Sequence, residues 1–144
     1  MRLVFDTAIM VAGIRSDAGA SRVLLRAALE RSHGVTMLLS VPLLIEYEAV
    51  MTRPEHLKES GLSAGDVGAL LDAVAAVSVP VRLAYLWRPT LPDADDDMVL
   101  ETAANGGADA IVTFNLRDFA RVKPQFGIEV LLPGVVVRRM EKMA

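Results

Sequence analysis

Five short apolar runs, each of three to five residues and separated by longer segments with helical periodicity, constrain what this chain can fold into. They occupy residues 3–5, 35–39, 79–83, 110–112 and 128–132. Such short runs read as strands buried on both faces. Between them, residues 19–32 set Val23, Leu24, Ala27 and Ala28 on one side of a helix and Arg22, Arg26 and Glu30 on the other. Ser40 is a natural N-cap for a helix with Pro42 in its first turn, running to about residue 52 and broken at Arg53-Pro54. Ser63 opens another helix to about residue 77, with Val67, Leu70, Leu71 and Val74 as its apolar face. A helix over 97–104 is closed by Asn105-Gly106-Gly107, and a terminal helix starts at Pro133. Pro80 assigns run 79–83 to a sheet edge. Strands alternating with helices over 144 residues predict one domain, residues 1–144, built on a parallel sheet covered on both faces.

Composition narrows the functional classes. A hydrophobic content of 53% is enough for a substantial core and too much for a disordered chain. The absence of cysteine excludes disulfides, thiolate nucleophiles and cysteine-bound zinc, and fits a cytoplasmic protein. The N-terminal apolar run is interrupted by Asp6, which makes it a poor signal peptide and too short to span a membrane. A net charge of −3 argues against a broad nucleic-acid-binding surface. It is compatible with a nuclease whose surplus acid is neutralised by bound cations. Locally, Arg117, Arg121 and Lys123 form a small basic patch.

In a parallel α/β sheet, ligands bind beyond the carboxyl ends of the strands. Several polar residues fall there: Asp6 ends the first strand, and Asn115 and Asp118 follow the strand that ends at Thr113. The helix after the acidic run Asp93, Asp95, Asp96, Asp97 leads back into that strand, and Glu46 lies in the helix after the second strand. Each residue alone has a plain structural explanation as a cap, turn former or solvated side chain; their joint placement at one edge is what points to a site. Clustered carboxylates repel unless a cation lies between them, and an oxygen-only ligand set suits Mg²⁺ or Mn²⁺. An EF-hand is excluded because Met98 and Ala104 stand where the loop glycine and the bidentate glutamate belong. There is no phosphate-binding GxxxxGK[ST], no HExxH and no GxSxG.

The blocks VFDTAIMVAG, SVPLLIEYEAV, PDADDDMVLETAANGGADAIVTFNLRDF and VLLPGVVVRRM resemble, in order, those of PIN-domain proteins, and in particular the toxins of VapBC-type toxin–antitoxin pairs. The resemblance implies a three-layer α/β/α sandwich with a central, mainly parallel sheet. It also implies cleavage of RNA that depends on Mg²⁺ or Mn²⁺, a cognate antitoxin and a homodimer. The four acids it implies are Asp6, Glu46, Asp97 and Asp118, as catalytic residues and metal ligands. Asp96 is the alternative to Asp97, and Asp93, Thr113 and Asn115 play secondary parts. Arg117, Arg121 and Lys123 would grip the RNA backbone. The chain departs from the family pattern at Ala8, where the usual residue is Asn, and at Asn115, where many members carry an acid. Two alternatives stand beside this reading. One is a catalytically weakened PIN-like module that acts by binding a partner; the other is a metal-dependent phosphatase or DNA nuclease with the same acids.

Overall fold

The structure, a computed structural model, describes residues 1–16 and 19–143. Its centre is a five-stranded sheet: β1 (Arg2–Phe5), β2 (Thr36–Leu39), β3 (Val79–Pro80), β4 (Ala110–Val112) and β5 (Glu129–Leu131). The spatial order is β3-β2-β1-β4-β5, and every neighbouring pair is parallel. β1 is therefore the middle strand, and Leu3, Val4 and Phe5 are completely buried. β3 occupies an edge, as Pro80 requires, but it is two residues long rather than five.

Helices cover both faces. α1 (Thr7–Arg15), α2 (Ala20–Glu30), α3 (Val41–Met51), α4 (Pro54–Ser60) and α5 (Ala64–Val77) connect β1 to β2 and β2 to β3. α6 (Ala94–Gly106) crosses back from β3 to β4, packing on β1, β2 and β4, and the short α7 (Val122–Phe126) leads to β5. Right-handed crossovers that run outward in opposite directions from β1 put these two helix groups on opposite faces. α8 (Pro133–Met143) packs on α2. The architecture is the α/β/α sandwich. Among the described residues, no single helix is long and apolar enough to cross a membrane.

Local chemistry explains most boundaries. The Ser40 hydroxyl caps α3 by accepting from the Leu43 amide, and Ser63 and Asp66 form a reciprocal capping box on α5. Gly107 ends α6 in the left-handed conformation (φ 63°). Gly106 is needed for a different reason: a Cβ there would lie 2.8 Å from Val81 and 2.9 Å from Leu38. The helices differ from the sequence expectation in two ways. α1, α4 and α7 are additional helices. α6 begins at Ala94 rather than Asp97, because the Asp93 side chain accepts from the Asp95 amide and so sets the N-cap. That shift rotates each aspartate of the run onto a different face of α6.

Candidate active site

The chain leaves β1 toward β2 and returns to β1's other side at β4, so the crevice between the ends of β1 and β4 is the topological switch point. Backbone pairing continues one residue beyond each strand. The Asp6 amide donates to the Val112 carbonyl (2.9 Å) and the Thr113 amide to the Leu131 carbonyl (3.0 Å). Asp6 and Thr113 are thereby fixed side by side, and the Thr113 hydroxyl donates to Asp6 Oδ2 at 2.8 Å. Thr113 Oγ1 also accepts from the Asn115 amide, and Asn115 Nδ2 donates to Asp118 Oδ2 (2.6 Å). A relay of hydrogen bonds thus runs from Asp6 through Thr113 and Asn115 to Asp118.

Electrostatics shows which acids share this crevice. Burial raises the Asp6 carboxyl above its ordinary value, and the charges of Asp93 and Asp118 add to the rise; the Thr113 hydroxyl and Thr7 amide oppose it. Asp96 is pushed up to about 7, first by burial and then by the charges of Asp6, Asp93, Asp118 and Asp95. Behind Asp6, the Tyr47 hydroxyl is fully buried and donates to the Phe5 carbonyl. Burial and the Asp6 charge both hold that phenol neutral. Among the described residues, no three Asp, Glu or His side chains stand as a ready-made metal cage. The acids are close enough to repel, and two of them are turned to Thr113 and Asn115 instead.

Asp97 is placed elsewhere. It is 1% exposed, and its Oδ1 accepts from the Leu91 amide (2.9 Å) and the Thr90 amide (3.3 Å). Two further side chains continue the same stripe of α6 at four-residue spacing. Glu101, fully buried, accepts from the Trp87 amide (2.9 Å) and from Arg88 Nε and Nη2 (3.0 and 2.7 Å). Asn105 accepts from the Tyr85 amide and donates to the Tyr85 carbonyl. Asp97, Glu101 and Asn105 form a ladder that straps the segment before α6 onto the helix. The expectations from sequence do not include Glu101 or this role for Asn105, although the spacing 97, 101, 105 is legible as one helical stripe.

Glu46 is partly exposed in α3 and does not figure among the charges acting on Asp6 or Asp96. It lines a neighbouring cleft of about 550 Å³, together with Thr7, Ala8 and Asp95. Arg117, Arg121 and Lys123 are exposed on the turn after β4 and on α7.

A parallel sheet with an acid-lined crevice at its switch point defines a class of α/β domain whose ligands bind beyond the carboxyl ends of the strands. The PIN domain family model matches residues 2–117 of this chain, which spans Asp6, Glu46, the acidic run and Asn115 and stops one residue before Asp118. The chain belongs to the PIN domain family, and its fold is that of a nuclease. No curated protein matches it.

Proposed function

We propose that the protein is a Mg²⁺- or Mn²⁺-dependent endoribonuclease of the cytoplasm, the toxin of a VapBC-type pair, acting as a homodimer held in check by a cognate antitoxin. The observation that carries the metal-dependent nuclease is Asp96. A partly exposed carboxyl raised to about 7 by burial and by the acids around it in a crevice is a site short of positive charge. The donor set fits a hard divalent ion: oxygen only, with Asp6, Asp96 and Asp118 to hold it. Asp96 takes the place that the family resemblance gives to Asp97, because Asp97 is committed to the amides of residues 90 and 91. Asp93 is the helix cap at the rim.

When bound, such an ion offsets phosphate charge and lowers the pKa of a water. The protein's own residues do the rest. Thr113 fixes the orientation of Asp6, and Asn115 that of Asp118. Ala8 offers no side-chain amide to the site, and Thr113 supports Asp6 by its hydroxyl. Tyr47 is buried near Asp6 and ties α3 to the end of β1 through the Phe5 carbonyl. Arg117, Arg121 and Lys123 lie where they can meet the RNA backbone, an interaction that weakens with salt. Phe114 and Leu132, both substantially exposed beside edge strand β5, offer apolar surface for the homodimer.

Purified protein should cleave single-stranded RNA with Mg²⁺ or Mn²⁺, lose activity in EDTA and lose it in Asp6→Asn. Cleavage that survives Asp6→Asn would overturn the site. RNA binding without cleavage would favour the partner-binding module, and turnover of DNA or phosphomonoesters alone would favour the other hydrolases.

A second expectation concerns pH. The folded pKa of Asp96 lies above its ordinary value, so the fold binds the extra proton and loses stability as pH rises from about 4 through 7. Solvent screening of this partly exposed group leaves an effect of about 1–2 kcal/mol. Melting followed by circular dichroism should therefore show a lower Tm for metal-free protein at pH 8 than at pH 6. Millimolar Mn²⁺ should raise Tm more at pH 8, where no proton has to be displaced. Equal Tm values with and without Mn²⁺ at pH 8 would count against a metal at these acids.

A further inference from the structure

A cleft of about 550 Å³ opens beside the acid crevice, between α1, α3 and α4. It shares a wall with the crevice, since Thr7 and Ala8 directly follow Asp6, and Asp95 directly precedes Asp96. Ala8, Val11, Ala12 and Val50 give it an apolar lining. Its far rim is cationic. Arg53 is exposed at the N-cap of α4, and Arg15 is exposed at the last turn of α1. Arg15 Nη1 lies 3.4 Å from His56 Nδ1. A guanidinium only donates, so in this pair Nδ1 accepts and His56 Nε2 carries the proton as a further donor. The only ion pair of Arg15 among the described residues is a 4.0 Å approach to exposed Glu59, which contributes little and is readily exchanged.

We infer that this cleft is the subsite for the nucleotide adjoining the cleaved bond, with its phosphate held by Arg53, Arg15 and His56 and its sugar and base over Val11, Ala12 and Val50. The volume falls within the range of small-ligand sites. The sign of charge divides along the cleft: Asp95 adjoins Asp96 and Glu46 lies about two turns of α3 before Arg53, whereas Arg15 ends α1 and Arg53 follows α3. A bare phosphate is repelled from the two carboxylates and attracted to the two guanidinium groups, which directs the strand outward from the acids along one path. Ribose hydroxyls, as donors, meet the carboxylates. The inference rests on the ribonuclease reading and adds to it the direction in which the strand leaves the acids.

The test uses Asp6→Asn protein, to prevent cleavage, and a fluorescein-labelled single-stranded RNA of mixed sequence, followed by anisotropy across a salt series. Adding Arg53→Gln or Arg15→Gln should weaken binding about fivefold or more at low salt and reduce the log–log salt slope by about 0.7 for each phosphate that is no longer neutralised. Arg31→Gln, at the opposite end of the sheet, should leave both unchanged. Circular dichroism establishes that each variant is folded. In the Asp6-containing enzyme, Arg53→Gln should raise KM with little change in kcat. If wild-type protein cleaves RNA and the Arg53 and Arg15 variants bind and cleave like their parents, the cleft assignment fails alone. If the parent binds no RNA at all, the assignment falls together with the ribonuclease reading.

Discussion

Replacing Asp96 by Asn should lower metal-dependent cleavage by at least about 100-fold, whereas Asp97→Asn should retain most of the activity. Changes to groups that only orient a metal ligand cost about 10–100-fold, so removing a ligand should cost no less. Asp96 lies within reach of the charges of Asp6, Asp93 and Asp118, and its pKa is raised by burial first and by their repulsion second. Asp97, one residue on, is turned about 100° around α6 into the strap segment. There its Oδ1 serves as an acceptor for two amides, a role an amide oxygen fills as well. Activity with Mn²⁺, measured for both variants against wild type, decides the point. The reverse order, with Asp97→Asn inactive and Asp96→Asn active, would return the site to the aspartate that the family resemblance favours. The Asp96 variant should also melt higher than wild type at pH 8 without metal, since it removes a charge that the fold disfavours.

The largest loss of stability should come from Glu101. Glu101→Ala deletes a fully buried side chain and leaves the Trp87 amide and the Arg88 guanidinium without their acceptor. A cavity and an unsatisfied donor together cost about 2–4 kcal/mol, a fall in Tm of about 10 °C for a domain of this size. Glu101→Gln keeps an acceptor for the Trp87 amide and should fall between the alanine variant and wild type. Hydrogen exchange gives the more specific readout. If the ladder holds the strap, the amides of Trp87 and Leu91 should lose protection in Glu101→Ala while those of β1 and β4 open only with global unfolding. Unchanged protection at Trp87 would show that the strap is held by something else. Asp97→Ala should release Leu91 in the same way, with a milder effect on Trp87.

The strap separates two neighbouring aspartates: Asp96 stands among the other acids, while Asp97 accepts from the amides of residues 90 and 91. In the run Asp93, Ala94, Asp95, Asp96, Asp97, composition says only that acid is abundant, and each aspartate is a reasonable helix cap or ligand. A helix that starts at Asp97 makes Asp97 the residue at the crevice. A helix capped by Asp93 puts Asp96 there and buries Asp97 against residues 90 and 91. The choice depends on a single side-chain hydrogen bond, from the Asp95 amide to Asp93. Packing of α6 on β1, β2 and β4 holds the register that this bond sets, and that packing is not written in the acidic run itself. Glu46 illustrates the same limit. Its place on α3 is readable from the Ser40 cap onward, but whether it faces the crevice or the cleft depends on how α3 is rotated against β1, which the buried Tyr47 helps to fix.

What the sequence determined by itself is the order of buried strands and helices, the parallel sheet, the edge position of Pro80 and the switch-point edge where Asp6, Thr113 and Asp118 gather. These follow from short-range physics: apolar runs must be buried, caps and prolines stop helices, and a strand ending in an acid puts that acid at the sheet's rim. What only the tertiary structure decided is which acids meet. The relay from Asp6 through Thr113 joins residues 107 positions apart, and the cationic rim of the cleft brings Arg15 to His56 across 41. Pairings of that separation are set by strand register and helix rotation in three dimensions. No local pattern encodes them, so the elements could be read along the chain while the aspartate of the acidic run that meets Asp6 could not.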